Sequence, residues 1–517
     1  MNFFPSRFKF SIILLMLIIN TADCQIIWQK TLGGDKYEEM YSIQATRDKG
    51  FISAGLSLSS NGDIPGNYGG VDIILIKQDS LGNVEWMKNY GGSDHDTPYA
   101  IMEISGGGFL VVGGTYSNDI DVAGNHGDKD GWVFQIDPAG NLLWQMCYGG
   151  TKYDDLTGVV VSSNGGYLIS GYSYSSNGDL SVNQGQEDFW ILHIDTAGTV
   201  LWSKTYGGSS LDRPWTIVAT DDGGCLVAGD THSSNGDVVG SNGVLDAWVL
   251  KINWEGKKVW QKCFGGPNWD RVDKMVKVEN DEYVLAGFAM SNTGIFSGNH
   301  GNEDCWVFKI NDDGDLLWQN LLGGTKQDRT FAIAAKEDGG FWLASIARSS
   351  DGDVSLNKGS SDVWISKLSS AGELEWERAL GGGGLDMVTS VTLSHDNKCV
   401  FAGYTSSNNG DVAGPLKGGS DFWIVKVGEN FPTSTQAPTP LALDLFPNPA
   451  QHYISFSLPQ DEPAVQITIT DVQGREWLMP TIHARQHLDI SRLPAGAYWL
   501  TATTLSGQRY VGRFVKE

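Results

Sequence analysis

A chain of 517 residues exceeds one ordinary domain, so two units, or one repeat array with an appendage, are expected. Its 66 glycines and 19 tryptophans suit an all-β fold with many tight turns. The formal net charge of −25 argues against nucleic-acid binding, which wants a basic face, while it suits solubility and attracts cations.

In chain order, Arg7 and Lys9 precede an apolar run that ends in small and polar residues, a secretory signal over residues 1–24. Asp23 is a poor neighbour for a lipidated Cys24, so cleavage near Gln25 is expected. No second apolar run reaches membrane-spanning length.

From residue 25 a tryptophan followed by a glycine pair keeps returning, as in VEWMKNYGG and LLWQMCYGG. Trp28, Trp86, Trp144, Trp202, Trp260, Trp318 and Trp376 stand 58 residues apart (86 − 28, 144 − 86 and so on), and a fixed period decides the architecture. The unit from Trp144 holds four β-like runs. TGVVVSS and YLISGYS flank an Asn-Gly-Gly turn, and DFWILHI and LWSKTYGG flank a turn ending in Gly198. Four antiparallel strands repeated seven times predict a seven-bladed β-propeller over residues 25–430. A stacked solenoid would need atypical end caps, and none is visible. The first copy, IIWQKTLGG, is an outer strand with nothing before it, and the last, ending DFWIVKVGEN, lacks one. The N-terminal strand should therefore complete the last blade and remove the open edges. The D-x-W strand, the turn ending in Gly and the following Trp and Gly-Gly, as in DGWVFQIDPAGNLLWQMCYGG, resemble the bacterial β-propeller repeat family of secreted and surface proteins.

Residues 431–441 read as a Pro/Thr linker. Residues 442–517 alternate apolar and polar positions and predict a small β-sandwich C-terminal domain. Phe446-Pro447-Asn448-Pro449, Asp471-Val472-Gln473-Gly474-Arg475, Leu493-Pro494-Ala495-Gly496-Ala497-Tyr498 and Gly512-Arg513-Phe514-Val515-Lys516 resemble the type A C-terminal sorting domain of the type IX secretion system of Bacteroidetes. That resemblance implies the type IX machinery as a partner through residues 442–517, and release from the cell or attachment to its surface.

Two acids recur in every copy. Glu38, Asp96, Asp154, Asp212, Asp270, Asp328 and Asp386 precede the first strand, and Asp72, Asp130, Asp188, Asp246, Asp304, Asp362 and Asp421 open the third. A residue present in every blade suits a framework task such as accepting backbone N–H groups. The SSNGD loop adds Asp63, Asp121, Asp179, Asp237, Asp353 and Asp411, whose clustered oxygens suit Ca²⁺, although Asn-Gly-Asp is also ordinary turn chemistry. Function is sought where the repeat breaks. Arg213, Arg271 and Arg329 follow the ring acid in three consecutive copies, with Trp215, Trp269 and Phe331 nearby. Guanidiniums beside flat aromatics suit a carboxylate-bearing glycan or peptide. The alternative is that each arginine pairs with an aspartate of an adjacent blade.

Cys147 and Cys263 share one repeat position and Cys225 and Cys399 another, in non-adjacent copies, so free buried thiols are expected. No HExxH, zinc spacing, GxSxG elbow or phosphate loop occurs. A secreted or surface-held, non-catalytic binding or scaffold propeller is the leading expectation. A polysaccharide hydrolase or lyase using channel carboxylates, and a calcium-dependent adhesin, are the alternatives.

Overall fold

The computed structural model describes residues 23–296, 298–430, 441–443, 445–456, 464–471, 476–478, 486–504 and 509–517. The signal segment up to residue 22 and nearly all of the Pro/Thr linker lie outside the described residues. Two compact units divide at Glu429 and Asn430.

The first unit holds seven four-stranded antiparallel sheets, numbered here in chain order. Sheet 3 shows the plan: Asp154–Val161, Tyr167–Ser173, Asp188–Ile194 and Val200–Tyr206 pair as consecutive neighbours. Its second and third strands are wholly buried, because both faces pack on neighbouring sheets. The first strand begins at the ring acid Asp154, three residues earlier than the TGVVVSS pattern predicts. A bulge between Leu156 and Gly158 shifts the register there and hides the alternation. The same bulge recurs in the first strand of all seven sheets.

Sheet 7 is assembled from both ends of the unit: Asp23–Leu32 pairs with Asp421–Asn430, which continues to Cys399–Thr405 and Asp386–Leu393. Gln29 there does what Gln145, Gln261 and Gln319 do elsewhere. Its Oε1 accepts the indole N–H of Trp423 at 3.0 Å, as their oxygens accept Trp132, Trp248 and Trp306. Sheet 7 also bonds to sheet 1, with Glu38 N–H donating to Ser420 O at 3.1 Å and Thr389 Oγ1 to Met40 O at 2.7 Å. The unit is an all-β, multi-bladed propeller.

Three of the periodic tryptophans, Trp86, Trp202 and Trp260, join neighbouring sheets through their indole N–H, whereas Trp144 donates to Gln135 of its own sheet. Trp86 Nε1 donates to Pro138 O of the next sheet at 3.1 Å, and Trp260 Nε1 to Asp312 O at 3.0 Å. The ring of Trp260 lies over Gly314, where φ is +74° and a Cβ would stand 2.8 Å from the indole.

The C-terminal unit has a five-stranded sheet, ordered Leu441–Ala442, Arg509–Lys516, Gly496–Thr504, Ala464–Asp471 and Glu476–Leu478. Tyr453–Phe456 and Gln486–Asp489 form a second sheet, and Ile454, Leu488, Ile469, Leu500 and Phe514 share one buried core in a small sandwich. Asn448 ties the Phe-Pro-Asn-Pro stretch to the last strand, donating to Arg513 O at 2.9 Å and accepting Val515 N–H at 3.0 Å.

Candidate functional site

The acids that recur in every copy are spent on backbone. Each ring acid is fully buried and accepts the N–H of the second glycine of its Gly-Gly pair at 2.7–2.9 Å. The six loop aspartates, Asp63, Asp121, Asp179, Asp237, Asp353 and Asp411, each accept the N–H of the first glycine at 3.0–3.4 Å. Sheet 5 lacks this loop pattern, with Ile295 in the aspartate's place and Thr293 where other copies carry Asn or Asp. The Asn or Asp caps the N–H that follows the glycine pair, and in sheet 5 that residue is Pro267, which has no N–H to cap. Among the described residues no group of three or more His, Cys, Asp or Glu is arranged to hold a metal ion.

The third-strand acids carry a different burden. Each accepts backbone N–H through Oδ2, Asp246 from both Asn242 and Gly243, while Oδ1 is buried without a hydrogen-bond partner in all seven. Burial, with the ring acid of the next sheet adding to it, raises the carboxyls of Asp72 and Asp188 to about 6. The first glycine of the pair lies between the two carboxylates, so a side chain there would strike both.

The arginines sit one residue along the innermost strands from the ring acids. Arg213 donates through Nε and, at 3.0 Å, through Nη2 to both oxygens of Glu187 in the preceding sheet, under the ring of Tyr172. Arg329 makes the same fork to Glu303 and lies 4.5 Å from the centre of the Phe288 ring. Both glutamates are 26 residues upstream of their arginine. Lys129 and Asp155 occupy the same pair of positions with the charges exchanged, 2.5 Å apart, and the Lys129 ammonium faces the rings of Tyr99, Tyr116 and Tyr153. Inter-sheet pairing therefore holds for Arg213 and Arg329 as a two-bond fork, with glutamate and not aspartate as the partner.

Arg271 is the exception. Its upstream partner position is Leu245, so the guanidinium turns to its own sheet and the preceding one. Nη2 donates to Asp273 Oδ1 at 2.5 Å, Nε lies 3.8 Å from Asp230 Oδ1 without a hydrogen bond, and the group stacks 4.2 Å from the Trp215 ring centre. Trp215 donates its indole N–H to Asp230. Burial raises the carboxyls of Asp230 and Asp273, against the pull of Arg271. Lys274, next on the strand, replaces the Ser, Ala, Gly or Thr of the other sheets and has no carboxylate within ion-pair distance among the described residues. Burial lowers its ammonium below the usual lysine range, with Asp273 opposing.

Of the aromatics read from the sequence, Trp215 joins this cluster. Trp269 is 46% exposed and meets His232 edge-on, and Phe331 packs into the apolar core shared by sheets 6 and 7. The sequence reading missed Glu187, Glu303, Tyr172, Phe288, Asp230, Asp273 and Lys274. Each is visible as a break in the repeat, but only sheet packing shows which breaks meet.

Residues 444–517 match the family described as the secretion system C-terminal sorting domain. The tail is an export signal. It directs the chain out of the cell or to the outer-membrane surface, and no helix among the described residues is long and apolar enough to cross a membrane. The chain is also 23% identical over 420 residues to the regulatory protein FlaEY of Caulobacter vibrioides, covering 71% of this chain and 43% of that protein. It thus spans less than half the length of that curated relative. Similar solved structures include the Pan2 WD40 domain of Neurospora crassa, at 10% identity and TM-score 0.33, covering 63% of this chain and 93% of that one. A Synechocystis apocarotenoid oxygenase matches at 13% identity and TM-score 0.39, covering 72% and 89%.

Proposed function

We propose that the seven sheets are the blades of one closed propeller that serves as an extracellular, non-catalytic binding module, exported by the type IX machinery through its tail. The ligand is a carboxylate-bearing glycan or peptide. Leu245 carries this reading: it removes the glutamate fork that Arg213 and Arg329 keep, so Arg271 has Asp273 and only a 3.8 Å contact to Asp230, with Nε buried and unbonded, beside a Lys274 that has no carboxylate within ion-pair distance among the described residues. A buried donor without an acceptor costs about 1–3 kcal/mol, so a binding role accounts for its retention. A carboxylate would meet the exposed part of the Arg271 guanidinium and the Lys274 ammonium while resting against Trp215.

The test is a calorimetric titration with oligogalacturonate and with an acidic peptide. Arg271→Ala should weaken binding at least tenfold. Leu245→Glu should do the same by restoring the missing partner, while leaving the denaturation midpoint unchanged or raised. Undiminished binding by both variants would overturn the proposal.

A further inference from the structure

At the end of the strands away from Arg271, the tight turns of sheets 3 and 4 enclose a cavity of about 540 Å³. Asn164, His193, Leu201, Trp202, Asp222 and Trp254 line it. Its volume lies within the range of small-ligand sites. Trp254 occupies a turn position where the other sheets carry Ser80, Pro138, Thr196, Asp312 and Ser370. The framework uses only its backbone: Trp202 Nε1 donates to Trp254 O at 3.2 Å, as Trp86 and Trp260 donate to Pro138 O and Asp312 O. The indole is left 50% exposed, and Leu201 beside it is 54% exposed.

A second substitution opens the space. His193 stands where Lys77, Lys251, Lys309, Lys367 and Lys426 stand in other sheets, and its Nε2 is held by Gly165 O at 3.2 Å. The cavity thus loses the long cationic stem that this position otherwise carries. The rim is polar. The Asn164 carboxamide makes no hydrogen bond among the described residues, and the Asp222 carboxylate is half exposed. The nearby cation, Lys251, is 7% exposed, held by Asp312 at 2.6 Å and 3.5 Å from Asp222 Oδ2.

An exposed aromatic plate, a free amide and an acid, with Lys251 buried between two carboxylates and Lys204 bonded to Glu255 O, favour a ligand with an apolar face and donor hydroxyls over an anionic one. We propose that this groove binds an uncharged pyranose unit of an extracellular glycan. The C–H face of the sugar stacks on Trp254, and its hydroxyls bond to Asp222 and Asn164. The site is separate from the Arg271 cluster and does not depend on it.

Trp254→Ser installs the residue that sheets 1 and 6 already carry in this turn, so the frame accepts it. Wild-type protein, Trp254→Ser, Asn164→Ala and Arg271→Ala would be titrated with cellohexaose, mannohexaose, xylohexaose and oligogalacturonate by calorimetry. At least one neutral hexamer should bind the wild type and weaken tenfold or more in Trp254→Ser, with a smaller loss in Asn164→Ala. Arg271→Ala should bind it normally, and oligogalacturonate should not discriminate Trp254→Ser from wild type. If no neutral hexamer binds, or if Trp254→Ser binds as wild type does, the proposal fails.

Discussion

Replacing Asp188 with Asn tests the carboxylate pair at a sheet junction. Asp188 is fully buried, accepts Gln184 N–H at 2.5 Å and leaves Oδ1 unbonded. That oxygen and Asp212 Oδ2 of the next sheet lie 2.3 and 2.8 Å from where a Cβ on Gly207 would stand. Burial, then Asp212 and Asp237, raise the Asp188 carboxyl from the ordinary 3.8 to about 6. A carboxyl raised in the folded state favours the protonated form, so its contribution to stability is complete below about pH 4 and is lost as pH rises through about 6. The rise corresponds to about 3 kcal/mol at about 1.4 kcal/mol per tenfold change in proton affinity, and screening near the solvated loops reduces it to about 1–2 kcal/mol. Asn keeps the acceptor for Gln184 and presents an amide to Asp212 where Asp188 presents a second charge. Urea denaturation should show Asp188→Asn more stable than wild type by about 1–2 kcal/mol at pH 8 and equal to it at pH 4. Destabilisation at pH 8, or the same difference at both pH values, would refute the reasoning.

Removal of residues 23–32 leaves Trp423 without Gln29 and opens the edge of Asp421–Asn430. The shortened protein should aggregate or lose its sharp unfolding transition in size-exclusion and circular-dichroism assays, and a stable monomer would count against ring closure. Cys147, Cys225, Cys263, Cys305 and Cys399 are free thiols, and burial pushes those of Cys147 and Cys263 up to about 12. Ellman's reagent at pH 8 should label Cys147, Cys225, Cys305 and Cys399 only after denaturation, with the half-buried Cys263 the first to react; rapid native labelling of the other four would contradict their burial. Gly314→Ala places a side chain at positive φ against Trp260 and should cost about 2 kcal/mol or more by denaturant midpoint. A neutral outcome would remove the reason given for glycine there.

The repeat was legible because Trp and Gly-Gly recur at each junction for physical reasons: the indole of Trp86, Trp202 and Trp260 meets the next sheet's carbonyl, and successive loop N–H groups need caps. The 58-residue spacing therefore carried the architecture without any view of the packing. The start of the first strand was misread at Thr157 because the bulge beside Leu156 interrupts a period of two. Arg213, Arg271 and Arg329 stood out as breaks, but their partners did not. Glu187 and Glu303 precede third strands whose neighbours are fixed only when sheets pack face to face, and Leu245 signifies a missing partner only beside those two. Trp254 is likewise an ordinary aromatic in the sequence, and its exposure is a property of the folded turn.

The most direct test of the Arg271 site is a crystal structure of the wild-type propeller soaked with trigalacturonate, with a matched soak of Arg271→Ala. Expected is a sugar carboxylate bonded to the Arg271 guanidinium and the Lys274 ammonium beside the Trp215 ring, and no density there in the variant. Trigalacturonate bound elsewhere on the propeller, or bound equally in the variant, would contradict the assignment of Arg271 as the recognition centre.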